Sequence, residues 1–173
     1  MLTHLSKLRL LLVSLVLLAM ASGGAAMSRL GQVVVTVVDG KPCFGLESTV
    51  ATHRGEPTLR SVSVRLEGGS EQSAVWVFRM PPTSPGTAFT PPTCLRYGEV
   101  APDAIVSKEP TDLVSGKVYS VFIRARGMDA TDPTLGYTAE FCLQRNPDQT
   151  LRVHQKRPDA KAGKWPHDFC TEQ

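Results

Sequence analysis

Residues 119–143 read YSVFIRARGMDATDPTLGYTAEFCL, two alternating apolar runs on either side of a turn-rich middle. Successive side chains of a strand point to opposite faces, so a period of two marks a strand with one face on a core; an amphipathic helix shows a period near 3.6. Tyr119, Val121, Ile123 and Ala125 share one face of the first run, and Tyr137, Ala139, Phe141 and Leu143 share one face of the second. Gly127 to Gly136 then joins them as a hairpin loop. Just upstream, Leu113-x-x-Gly116-x-x-Tyr119 fits two readings. One is a plain turn before a strand with a buried Tyr. The other is a tyrosine corner, in which a Tyr near the start of the penultimate strand bonds its hydroxyl back to the upstream backbone.

The same period recurs outward from this pair. Val33 to Val38 is a β-branched run ended by Asp39-Gly40, and Pro42-Cys43-Phe44-Gly45-Leu46 follows at once, which predicts a hairpin. Ser61 to Leu66 alternates strictly, placing Val62, Val64 and Leu66 on one face before Gly68-Gly69. Ala74 to Met80 supplies Val75, Trp76, Val77 and Phe78, apolar on both faces, as for a strand covered on both sides. Pro81 to Pro92 holds five of the 13 prolines and predicts a long extended loop outside any central strand. Ala101 to Pro110 reads as irregular, Thr150 to Val153 as a last short strand, and helix has little room. Seven or so short strands with turn signals between them describe an all-β chain: a single β-sandwich of immunoglobulin-like or fibronectin type III-like kind.

The N-terminus is of another type. Lys7 and Arg9 precede an apolar run from Leu10 to Ala21, broken only by Ser14, and small residues follow to Ala26. That is the pattern of a secretory signal peptide cut after Ala26, and the apolar run is shorter than the ~20 residues of a membrane span. The expected organisation is therefore 1–26 signal peptide, 27–154 β-sandwich domain and 155–173 polar C-terminal tail pinned by Cys170. No cysteine precedes Cys43, so acylation as a lipoprotein is not expected, and the product should be soluble and free of stable membrane insertion. The net charge of +3 owes much to Lys7 and Arg9, so the exported part is close to neutral. A near-neutral domain without a Lys/Arg cluster has no electrostatic footprint for nucleic acid.

Cys43, Cys94, Cys142 and Cys170 all lie in the exported part, and an even count in an oxidising compartment reads as two disulfides. Of three possible connectivities, strand phase selects one. Cys142 is out of phase with Phe141 and Leu143, so it sits with Thr138, Glu140 and Gln144 on the outer face; Cys43 is likewise out of phase with Phe44 and Leu46. A partner for Cys142 must lie over the outside of its sheet, and the tail with Cys170 has no strand of its own. The expectation is Cys142–Cys170 and Cys43–Cys94, the former closing a loop of ~29 residues worth about 3 kcal/mol on a chain-entropy account.

No catalytic constellation stands out. His53, His154 and His167 belong to no recognisable motif, and a nucleophile elbow, H-E-x-x-H, P-loop or dinucleotide fingerprint is missing. His167-x-x-Cys170 is half a zinc site without a second half. Glu47, Glu56, Glu67, Glu71, Glu99, Asp103, Glu109 and Asp112 fall mostly in turns or on polar faces, which reads as solvated surface. Trp76 reads as core, Trp165 as a cap on the open end of the domain or an exposed anchor, and Arg124 with Arg126 as a small exposed basic spot serving solubility. The expectation is no enzyme, no cofactor and no metal.

Pro42-Cys43-Phe44, Cys94-Leu95-Arg96-Tyr97-Gly98-Glu99, Leu113-x-x-Gly116-x-x-Tyr119-x-Val121 and Tyr137-x-Ala139-x-Phe141-Cys142, in this order, resemble a family of small bacterial exported β-domain proteins described as type VI secretion system immunity periplasmic (lipo)proteins. The resemblance runs from about Gly31 to His154. It implies a periplasmic, non-enzymatic binding protein whose partner is a secreted toxin effector that it neutralises. Members of that family typically carry a lipobox cysteine, from which this chain departs, and the tail with Cys170 has no place in the pattern. A second function from another class is an envelope structural or assembly module, such as a pilus-associated or chaperone-like sandwich that adds a strand to a partner; Val33 to Val38 is its candidate edge strand. A third is a small envelope hydrolase with unpatterned carboxylates. For an interface, Pro81 to Pro92 and the Gly127 to Gly136 loop come first, since loops on a rigid scaffold commonly carry recognition.

Overall fold

Asp39 and Gly40 both have positive φ, 50° and 71°, and join two strands through a two-residue loop. This is the backbone that matches the right-handed twist of a hairpin, and Asp-Gly tolerates it. The computed structural model describes residues 29–68, 73–127, 132, 134–156 and 170. The stretch 1–26, expected to be a signal peptide, most of the tail including Trp165 and His167, and positions 128–131 and 133 of the hairpin loop lie outside them.

The strands are β1 Arg29–Val38, β2 Lys41–Leu46, β3 Thr58–Leu66, β4 Ala74–Arg79, β5 Thr87–Ala88, β6 Cys94–Arg96, β7 Ile105–Lys108, β8 Val118–Arg126, β9 Thr134–Arg145 and β10 Leu151–Lys156. Among the described residues a single short helix, α1 Val50–Arg54, is capped by Thr49, whose hydroxyl accepts from the Thr52 N–H while the Thr52 hydroxyl answers the Thr49 N–H. Hydrogen bonds link the strands in the order β6-β2-β1-β9-β8-β3-β4-β7, with β10 on β9 and β5 on β3. All pairs are antiparallel except β1 with β9.

The path curls into a half-barrel. Phe44 of β2 lies 6.5 Å from Trp76 of β4, although β1, β9, β8 and β3 stand between them in the order, and 5.4 Å from Phe141 of β9. The inward residues expected of β8 and β9, Tyr119 to Ala125 and Tyr137 to Leu143 at every second position, are all buried in one core with Val33, Val62, Val64 and Phe78. Fully burying an aromatic or large aliphatic side chain stabilises by roughly 1.5–3 kcal/mol, so the curl that closes this core is what the alternation is for.

β1 changes partner midway. Leu30 to Gln32 run parallel to Gly136 to Thr138, whereas Val33 to Val38 pair antiparallel with β2. Where β1 leaves, β10 takes its place beside β9. The β1 backbone groups left facing the gap are met by one side chain: Gln155 Nε2 donates to Val33 O at 2.6 Å, and Gln155 Oε1 accepts from Val35 N at 2.9 Å.

Several expectations need correcting. Ala101 to Pro110 is not wholly irregular, since β7 pairs with β4 there; its two apolar residues are too few to show a period. The proline loop is bound down: Thr87–Ala88 pairs with β3, Phe89 is buried, and Met80 N bonds Arg60 O at 2.7 Å. β4 is covered fully on one face only, because Trp76 and Phe78 are buried while Val75 and Val77 stay half-exposed. The last strand runs to Lys156, so Gln155 and Lys156 belong to the sheet; the polar residues are held there by β1 and by the Lys156–Glu140 ion pair at 2.6 Å. Val33 to Val38 is no edge strand, as β2 flanks it on one side and Gln155 on the other.

Candidate functional site

Two tyrosines govern one end of the molecule. Tyr97 follows β6, and its hydroxyl donates to Thr111 O at 2.7 Å, with Val75 O a more distant acceptor at 3.2 Å. Burial pushes the Tyr97 phenol up to about 12, against the opposing pull of its bond to Thr111. Tyr119 opens β8, and its hydroxyl accepts from Val114 N at 2.8 Å. Both side chains thus grip the segment that crosses from β7 to β8, which Gly116 N secures further by donating to Leu143 O at 2.8 Å. The Tyr119 hydroxyl of the Leu113 to Tyr119 motif thus bonds back to the upstream backbone.

The gripped segment walls a groove of about 540 Å³ lined by Lys41, Pro42, Tyr97, Asp112, Leu143 and Arg145 among others. Arg96, next to Tyr97 in the chain, bridges Asp39 at 2.6 Å and Glu99 at 2.5 Å, and holds the Glu99 carboxyl below its usual range. A second groove of about 380 Å³, more apolar, runs beside Val34, Leu46, Pro91 and Pro92. At its edge Ser48 Oγ and His53 Nε2 are 2.8 Å apart, a pair the sequence does not advertise. The pair is exposed. His154 Nε2 lies 2.8 Å from Gln144 Oε1. Among the described residues no three His, Cys, Asp or Glu side chains gather as ligands for a metal.

The four cysteines stand where strand phase puts them. Cys43 joins Cys94 across neighbouring β2 and β6, with Cα atoms 5.6 Å apart, and Cys142 on the outer face of β9 joins Cys170. The acidic positions Glu47, Glu56, Glu67, Asp103, Glu109 and Asp112 are exposed; Glu71 lies outside the described residues. Trp76 is wholly buried, and its Nε1 has no hydrogen-bond partner among the described residues.

Family models, curated proteins and solved structures offer no match to this chain. Its own surface must therefore speak for it. β8, β3, β4 and β7 are consecutive in the sheet, and these four strands hold Arg60, Arg65, Arg79, Lys108, Arg124 and Arg126 without a single Asp or Glu. Phe122 is 39% exposed on their outer side and Ile105 is 43% exposed. No helix among the described residues is long and apolar enough to cross a membrane.

Proposed function

We propose that this chain is an exported, non-enzymatic binding protein of immunoglobulin-like sandwich type that acts in the periplasm as an immunity protein, binding and neutralising a type VI secretion effector. In that architecture β1-β2-β6 forms one layer, β9-β8-β3-β4-β7 the other, and β1 passes between them. The Tyr119–Val114 bond supports the immunoglobulin-like form, because this contact recurs at the same place in such sandwiches. Two disulfides suit an oxidising compartment.

The observation that carries the binding role is the way irregular segments are locked to the frame. Tyr97 and Tyr119 grip the crossing segment, Arg60 Nη1 donates to Ser84 O at 2.7 Å in the proline loop, and Phe89 anchors that loop in the core. A surface ordered before contact loses little conformational entropy on association, which is how tight inhibitors of fixed shape gain affinity. The test is protection: cells that export the effector encoded beside this gene should survive only when this protein is exported with it. An effector fully active in the presence of equimolar purified protein would overturn the reading.

A further inference from the structure

We infer that the outward face of β8-β3-β4-β7 is the docking surface, and that the partner surface it fits is an acidic patch of a protein around an apolar centre. This rests on the binding reading above and names its site and partner chemistry.

Register places the side chains. Lys108, Val77, Ser63, Phe122 and Thr138 stand opposite one another in a row across five strands. A second row runs Ile105, Arg79, Ser61, Arg124. Neighbouring strands are about 4.8 Å apart and residues two apart on a strand about 6.8 Å, so Phe122 and Val77 lie within side-chain reach of Arg79 and Arg124. Ser63 stands between Val77 and Phe122 and Ser61 between Arg79 and Arg124, and beyond Phe122 the Thr138 hydroxyl is turned away to Val121 O at 3.1 Å. The Phe122 ring leans over Gly136, where a Cβ would come within 2.6 Å of its tip, so a glycine on β9 gives the ring its seat. The one large side chain at the centre is thus partly fixed.

Arg79, Arg124 and Arg126 are exposed and form no ion pair with any described residue, while the nearby Glu140 of β9 is held by Lys156. Arg79, Arg124 and Arg126 thus meet no opposite charge among the described residues, in a protein with a formal net charge of only +3. A local excess of one sign steers and selects an opposite surface. An apolar patch rimmed by arginines is the anatomy of a protein interface core and rim. Polyphosphates would use the cations, but Val77 and Ile105 offer them nothing to stack on, whereas an apolar spot on a protein buries against both.

Calorimetric titration of the oxidised, exported form tests this against two probes, the effector encoded beside the gene and poly-L-glutamate, with heparin as the competing polyanion. Expected for the effector is a loss of about 10-fold for Phe122→Ala and about 100-fold for Arg79→Glu with Arg124→Glu, with Arg152→Glu on β10 near wild type. Affinity should fall as salt rises from about 50 to 300 mM. All the substituted side chains are at least partly exposed, and an unchanged melting temperature separates lost docking from lost folding. Effector binding undiminished by the face variants, or heparin preferred to both acidic probes, overturns the face and leaves the immunity role standing. Poly-L-glutamate bound through Arg79 and Arg124 by a protein that ignores the effector sustains the face and removes the immunity role. A wild-type protein that binds neither probe overturns both.

Discussion

The hydroxyl of Tyr119 accepts a 2.8 Å hydrogen bond from the backbone N–H of Val114, five residues upstream. Tyr119 itself is 2% exposed and its ring packs 5.8 Å from Phe141. Tyr119→Phe keeps the packing and deletes the acceptor, so it should cost about 1–2 kcal/mol. Urea unfolding should show a lower midpoint at an unchanged slope. Stability equal to wild type would mean that the crossing segment is held without this bond.

Gln155 offers a finer test because it serves as donor and acceptor at once. Gln155→Leu should cost about 1–3 kcal/mol by leaving Val33 O and Val35 N unmet. Gln155→Glu keeps the shape but turns a carboxylate toward the Val33 carbonyl, which favours the protonated acid in the folded state. Its folded pKa should therefore rise above the ordinary ~4.3, so the variant should approach wild-type stability below that pH and lose it as pH rises through the raised value. Thermal melts from acid to neutral pH read this directly; a variant equally destabilised at both ends refutes the bonding pattern.

Gly31 is required by contact rather than by conformation. A Cβ there would overlap the Cδ1 and Cε1 atoms of Tyr137, a ring that is 5% exposed and has nowhere to go. Gly31→Ala should cost about 1–3 kcal/mol, and the cost should shrink when Tyr137→Leu is made alongside it, as a double-mutant cycle would show. Additive costs would place the origin elsewhere.

Alkaline pH should find Tyr97. Its ionised form would face Thr111 O and Val75 O, and burial raises its folded pKa from 10.0 to about 12. With the folded value above the unfolded one, the associated stability is fully present below pH 10 and is lost as pH climbs through about 12. Burial raises the Tyr137 phenol as well, with the same sign. The urea midpoint should fall over that window, and Tyr97→Phe should flatten part of the fall. Tyrosinate absorbance appearing for all three tyrosines near pH 10 would count against it.

Much of this fold is legible in the chain. Side chains alternate along a strand whatever its neighbours are, so the inward sets on β8 and β9 and the outward position of Cys142 follow from spacing. The Asp39-Gly40 hairpin is equally local, since two residues carry its backbone. Even Tyr119 and Val114 are five residues apart, within reach of a motif. The Ser48–His53 pair is near in sequence but belongs to no pattern, so only coordinates bring it forward.

What needed the tertiary structure was every choice of neighbour beyond the two hairpins. The parallel pairing of β1 with β9, the two-residue β5 and the four-residue β7 depend on backbone groups offered by strands far along the chain, and elements so short carry too little period to be read. The basic face illustrates the same limit. Ile105, Arg79 and Arg124 are scattered in sequence, and only the order β8-β3-β4-β7 sets them in one row, because hydrogen-bond register acts between strands while side-chain alternation acts within one.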